Sequence, residues 1–287
     1  MRAGVIAAPG RAVVASAACP EPGPGQVLLR LEGSGVCASS LPLWEGRSWF
    51  EYPQAPGAPG HEGWGRIVAV GAGVSGLTSG DRVAALTYRA HAEYDIAEAS
   101  AVVPLPTGLD GVAMPGEPLG CAVNIFARSG IEAGQTVAIV GIGFLGALLT
   151  QLAAHAGARV IAISRRPFSL DIARAAGAQE TIVMDDHWRV LEAVKRLTDG
   201  RWCERVIEAV GLQWPLDLAG EITGERGPQR YVDGMRTAVD LMAAGVLDPT
   251  PLFTHHFPLE RLGEALDLTR QRPDGFMKAL VTAQDTA

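Results

Sequence analysis

The sequence predicts an α/β fold joined to a β-rich one: a compact, turn-rich β domain followed by a doubly wound parallel sheet. Three observations predict it. The first 104 residues are short runs of valine, isoleucine and leucine, punctuated by Pro and Gly clusters such as "PEPGPG". From about residue 118 strands and helices alternate, which requires a parallel sheet with crossover helices. A Gly-x-Gly-x-x-Gly run then falls where a predicted strand meets a predicted helix.

In the first part, "AGVIAA", "RAVVAS", "QVLLRLEGSGV", "GRIVAVG", "DRVAALT" and "AEYDIA" read as strands. In the second, "TVAIVG" is a buried strand and a helix from Phe144 to His155 follows directly. "ARVIAIS" is the next strand, "SLDIARAAGA" a helix and "ETIVM" a third strand. "DDHWRVLEAVKRL" places Trp188, Leu191, Val194 and Leu197 near one helical face, with Asp185 or Asp186 as its cap. "ERVIEAVG" is a fourth strand. Met235, Val239 and Met242 share a face of a further helix, and Leu259, Leu262 and Leu266 mark a last one. "GFMKALVTA" closes the chain as a strand. The expected domains are 1–123, completed by 250–287, and 124–249.

A length of 287 residues with 48% apolar and 19% charged residues suits a globular protein of about two domains. The net charge of −7, without a basic run, argues against nucleic acid or an anionic membrane as partner. Pro9-Gly10-Arg11 interrupts the N-terminal apolar stretch too early for an export signal. Cys19, Cys37, Cys121 and Cys203 are widely spaced and form no CxxC pair, so a cytoplasmic location is expected.

Gly141-Ile142-Gly143-Phe144-Leu145-Gly146 has the context of a Rossmann-type dinucleotide site. The glycines permit a tight turn, and the pyrophosphate meets the free N–H groups at a helix N-terminus. At the tip of the next strand an NAD site carries an acidic residue for the ribose 2′-hydroxyl. Here Ser164-Arg165-Arg166 stands instead. Two arginines can bind a 2′-phosphate through charge-assisted hydrogen bonds, which favours NADP over NAD.

"APGHEGWGRI" puts His61 and Glu62 among bare glycines, where Gly60 and Gly63 allow close approach of another group. Cys37 lies in "GSGVCASS" and Glu117 in "PGEPLGCAV". These segments, followed by the glycine-rich turn, resemble the zinc-dependent medium-chain dehydrogenases, the alcohol and polyol dehydrogenase superfamily. The resemblance covers nearly the whole chain and implies a GroES-like catalytic domain beside the dinucleotide-binding one. It implies that Cys37 and His61 hold a catalytic zinc, with Glu117 as third ligand. Glu62 competes for that place or stands close behind it, and Cys121 is a remoter candidate. One thiolate, one imidazole and one carboxylate with an open fourth position suit catalytic zinc. The resemblance further implies hydride transfer between NADP(H) and a secondary alcohol or polyol, or the matching ketone. Ser39 matches the position of the family's relay hydroxyl, whereas Pro42 stands where a relay histidine is frequent. Between the ligands, Trp44, Trp49, Phe50 and Tyr52 either wall a substrate cleft or pack the loop onto the β domain.

Two departures from the family stand out. The lobe of four cysteines that holds a structural zinc in many relatives is missing, since "DRVAALTYRAHAEYDIA" runs straight through. After Gly227 the fifth and sixth parallel strands are missing, and with them the sheet edge through which a homodimer is implied. An alternative function is therefore a non-catalytic protein that keeps zinc and dinucleotide binding in a sensory, regulatory or vestigial role. A zinc-free reductase of the same fold ranks last, because such relatives lack the cysteine and GHE ligands.

Overall fold

The computed structural model describes residues 1–223 and 232–283. The chain begins with the hairpin β1 (Arg2–Ala8) and β2 (Arg11–Ser16), then the long strand β3 (Gln26–Gly35) and a single helical turn α1 (Leu41–Trp44). Strands β4 (Gly63–Val70), β5 (Arg82–Ala85), β6 (Tyr94–Glu98) and β7 (Val102–Pro104) follow. Helix α2 (Gly116–Ser129) leads to β8 (Thr136–Val140), α3 (Phe144–His155), β9 (Arg159–Ser164), α4 (Pro167–Ala175), β10 (Glu180–Val183) and α5 (His187–Leu197). Next come β11 (Arg205–Glu208), α6 (Gln213–Glu221) and α7 (Val232–Ala243). The chain closes with β12 (His255–Pro258), α8 (Leu262–Gln271) and β13 (Ala279–Thr282). These elements form two compact units, Met1–Pro118 with Phe253–Ala287, and Leu119–Leu252.

The first unit is built on β3. Val27, Leu29 and Leu31 alternate inward and are fully buried, as a half-buried strand requires. β3 pairs antiparallel with β4, β6 and β13, and the sheet runs β12-β13-β3-β4-β5-β7. The C-terminal strand thus sits beside a strand from near the N-terminus, with Leu280 opposite Gly35 and Val281 opposite Ser34. A second core packs Ile6, Val36, Leu43 and Trp44 against Leu259, Leu262 and Leu266. Trp44 is 3% exposed, and its indole N–H donates to Asp267 Oδ1 at 3.1 Å. Phe50 and Tyr52 are partly buried against the same core, while Trp49 is 68% exposed. Trp44, Phe50 and Tyr52 therefore serve loop packing rather than an open cleft wall.

The second unit holds a four-stranded parallel sheet in the order β10-β9-β8-β11. Val137, Ala138, Ile139, Val140, Val160, Ile161, Ala162 and Ile163 are all fully buried, as strands covered on both faces must be. Asp186 rather than Asp185 caps α5, its Oδ1 accepting from Arg189 N at 2.9 Å. The expected inward face of α5 is corrected at one position. Val190 and Val194 carry the burial, with Leu191 and Leu197 beside them, whereas Trp188 is 70% exposed. Trp188 and Val190 lie on nearly opposite sides of the helix, and the face that meets the sheet is the one carrying Val190 and Val194. Met235, Val239 and Met242 are buried as their spacing predicts. Just before β11, Cys203 forms an isolated parallel bridge with Thr223. The junction after Gly227, where strands are expected to be missing, lies outside the described residues.

Trp44 joins α1 to α8 through both its ring and its indole N–H, so Trp44→Ala is expected to destabilise the first unit by about 3–5 kcal/mol. Chemical denaturation followed by circular dichroism checks this, and a loss below about 1 kcal/mol would show that the loop packs without it.

Candidate metal centre and dinucleotide turn

Strand β3 ends at Gly35, and the chain leaves the sheet through Val36 and Cys37. Cys37 precedes a 3-10 turn (Ala38–Ser40), with Ser40 N donating to Cys37 O at 3.1 Å. This turn fixes the half-buried thiol at the sheet's end and leaves Ser39 exposed two residues on. His61 and Glu62 come from the loop that enters β4, and Gly35 N donates to Glu62 O at 3.1 Å. That bond ties the exit of one strand to the entry of its neighbour. Gly60 is required by crowding, since a Cβ there would lie 2.5 Å from His91 N.

Donor atoms of Cys37, His61 and Glu62 all lie within 4.8 Å of one another. Among the described residues this is the one group of three such side chains in reach of a common ion. His61 Nδ1 is 2.9 Å from Pro59 O, a contact that orients the ring and leaves Nε2 for a ligand. Hydrogen bonding to the Cys37 side chain pushes the His61 pKa up to about 9, against the opposing effect of burial. A bound cation displaces protons from thiol and imidazole ligands.

Glu62 is fully buried. Lys278, 8% exposed at its side chain, donates from Nζ to Glu62 Oε1 at 2.8 Å. Nζ also lies 2.7 Å from Oε2, so the ammonium meets both carboxylate oxygens. Softness and charge of the thiolate, imidazole and carboxylate donors fit a zinc ion. Space for this carboxylate comes from Gly35, where a Cβ would stand 1.7 Å from Glu62 Oε2.

The structure brings together three of the four metal residues chosen from the sequence. Glu117 lies half-buried in the first turn of α2 and is not in the cluster. Lys278 was missed by the sequence reading. The signal for it was present, a lysine embedded in the apolar run "FMKALV" of a closing strand. His91 is also buried beside the cluster. Burial first, and the charge of His61 second, bring its pKa down to about 3.

In the second unit the glycine-rich turn joins β8 to α3. Gly141 has φ +97, and a Cβ on Gly146 would stand 2.0 Å from Gly141 O. Gly143 faces open space, with nothing within 4 Å of a Cβ position. No side chain caps α3, whose N-terminal end carries the positive pole of the helix dipole. A pyrophosphate therefore fits this turn on steric and electrostatic grounds. Ser164 is buried at the end of β9, Arg165 is exposed, and Arg166 begins α4 with its guanidinium 3.4 Å from Ile142 O.

Comparison with known proteins agrees with this geometry. Residues 23–129 match the alcohol dehydrogenase GroES-like domain, and residues 145–245 match the zinc-binding dehydrogenase family. Sorbitol dehydrogenase of Gallus gallus is 27% identical, with 88% of each chain covered. L-Threonine 3-dehydrogenase of Bacillus velezensis is 27% identical, covering 86% of this chain and 88% of its own. A zinc-binding dehydrogenase structure from Sinorhizobium meliloti, bound to NADP, shares the fold with a TM-score of 0.82 at 23% identity, covering 98% of each chain. The chain belongs to the zinc-dependent medium-chain dehydrogenase superfamily, a family of oxidoreductases. No helix among its described residues is long and apolar enough to cross a membrane.

His91 supplies a test of local burial. Its folded pKa lies below the unfolded value of 6.5, so the unfolded chain takes up a proton that the folded one refuses. Stability from its neutral burial is complete above pH 6.5 and is lost as pH falls towards about 3. The slope contributed is at most about 1.4 kcal/mol per pH unit. His91→Phe is expected to flatten the acid side of a stability-against-pH curve, and an unchanged curve would show that His91 ionises freely in the fold.

Proposed function

We propose that the protein transfers a hydride between NADP(H) and a secondary alcohol or polyol, or the corresponding ketone. The observation that carries this reading is the thiol, imidazole and carboxylate cluster of Cys37, His61 and Glu62. In a family of oxidoreductases, that donor set suits a zinc ion with a position left for substrate. Zinc, when bound, supplies the Lewis acidity that makes an alcohol proton easier to remove.

The chain's own residues do the rest. Cys37 and His61 hold the ion, and Glu62 or Glu117 supplies the third donor. Ser39 presents an exposed hydroxyl two residues from Cys37 and takes the released proton towards solvent. Gly141, Gly143 and Gly146, with Phe144 and Leu145 opening α3, receive the pyrophosphate. Arg165 and Arg166 bind the 2′-phosphate, and Ser164 ends the strand that presents them. No carboxylate stands at that strand tip to repel the phosphate. The sorbitol and threonine dehydrogenases among the relatives support a small hydroxylated substrate.

Calorimetric titration of zinc-loaded protein with NADPH and NADH, followed by a ketone panel, tests this reading. NADPH is expected to bind at least about tenfold more tightly than NADH, and Arg165→Ala with Arg166→Ala to abolish the difference, at about 1.5–3 kcal/mol per charge-assisted bond. Equal affinities would overturn the NADP assignment. Binding of both zinc and NADPH without turnover of any ketone would support the second reading, a non-catalytic zinc- and dinucleotide-binding protein, which the four-stranded described sheet favours. Cys37→Ser and His61→Ala are each expected to lose stoichiometric zinc, as measured by atomic emission after gel filtration. Retention by both would remove the metal centre from this site.

A further inference from the structure

We infer that the first unit holds a second small-molecule site, one that takes an apolar monocarboxylate. A cavity of about 580 Å³ lies where the open end of the β1–β2 hairpin faces β6 and the loop that follows β5. Cavities of that size enclose most of a small organic ligand. None of Cys37, His61 and Glu62 lines it, so the site stands apart from the metal cluster and from the hydride-transfer reading.

The lining divides into an apolar floor and a set of unused donors. Leu86, Ile96, Ala97 and Ala101 supply the floor, with Pro20 and Pro56 beside them. The donors are the Arg89 guanidinium and the phenol hydroxyls of Tyr88 and Tyr94. Among the described residues no hydrogen bond or ion pair engages these three side-chain groups, although Tyr94 is half-buried. The other charged groups of the lining are already engaged. Asp95 accepts from Arg89 N at 2.8 Å and from Ile96 N at 2.9 Å. Glu98 accepts from Gln26 Nε2 at 2.7 Å, and the Met1 amine donates to Ala17 O at 2.9 Å.

The bond to Asp95 also fixes the backbone from which the guanidinium springs. Just beyond it, Ala90 N donates to Gly60 O at 2.9 Å and His91 N to Gly57 O at 3.1 Å. Arg89 is thus an exposed cation on a braced loop, above an apolar floor. A guanidinium meets a carboxylate through two parallel hydrogen bonds, and the phenols can add further donors. Asp95 and Glu98 set a limit on charge, because a dianion such as a phosphate monoester would be repelled by them. An amine would meet an unpaired cation and no unengaged carboxylate. One carboxylate on an apolar body satisfies all of these conditions.

Calorimetric titration with phenylbutyrate tests the inference, with phenylbutylamine and phenylbutanol as matched controls. The proteins are the full chain, Arg89→Ala, Arg89→Glu and Cys37→Ser. The full chain is expected to bind one phenylbutyrate with a Kd below about 1 mM, and each control at least about tenfold more weakly. Arg89→Ala is expected to weaken phenylbutyrate about tenfold or more, and Arg89→Glu to reverse the preference towards the amine. Because Arg89 is exposed, both variants are expected to keep the circular dichroism of the full chain. Cys37→Ser is expected to bind phenylbutyrate as the full chain does, whether or not the protein turns over a ketone. Absence of binding, equal affinity for acid, amine and alcohol, or unchanged affinity in Arg89→Ala would each overturn the proposal. Binding lost in Cys37→Ser but kept in Arg89→Ala would put the carboxylate on the metal centre, and would overturn it too.

Discussion

A negative charge buried at the end of β3 constrains much of the first unit. Glu62 has no access to water, so its carboxylate must be met by a cation inside the protein. That cation, Lys278, immediately precedes the last strand of the chain, and it reaches the site because β13 pairs with β3 at Leu280–Gly35 and Val281–Ser34. Strand pairing, which a tail of apolar residues would achieve by itself, here also delivers a charge to a defined place. The topology and the electrostatics of the site are thus one arrangement: a register slip of one residue would turn Lys278 to the opposite face of the strand.

The bare backbone around His61 and Glu62 follows from the same constraint. Gly35 is empty because the carboxylate occupies the place of its side chain, and Gly60 because the chain of Ala90 and His91 crosses against it. His91 is kept neutral by that packing and by the charge of its neighbour His61. The donor atoms of Cys37 and His61 lie within 4.8 Å of one another. Glycine, histidine and cysteine choices that look unrelated in sequence are consequences of packing three polar donors at the edge of an apolar sheet.

Much of this was legible in the sequence, and the limits have physical causes. α3 runs from Phe144 to His155 as expected, because the glycine turn fixes its start and its run of leucines and alanines favours a helix. Strands β8 and β9 were legible as unbroken apolar runs, which only a doubly covered sheet accommodates. Trp188 was misplaced because its spacing to Leu191 fits a helical face, whereas the face that meets the sheet is centred on Val190 and Val194. Helices α2 and α6 were not read at all: "EPLGCAV" was taken for its chemistry, and Pro215 in "QWPLDLAGE" looks like a break although it sits in the first turn, where proline is tolerated. Cys37, His61 and Glu62 were found from local motifs. A lysine within the apolar run "FMKALV" was the local signal for Lys278, but its partner is 216 residues distant and no local pattern names the far end of an ion pair.

The shortened dinucleotide unit raises the question of what a parallel sheet can lose. In the order β10-β9-β8-β11, the phosphate turn leaves β8, which is flanked on both sides by paired strands. The arginines follow β9, likewise interior and likewise flanked. Each element that fits a pyrophosphate or a 2′-phosphate therefore springs from a strand whose own hydrogen-bonding edges are both occupied. A parallel sheet supports each strand mainly through its immediate neighbours and the helices on its faces, so the supports of β8 and β9 all lie within the described four-stranded sheet.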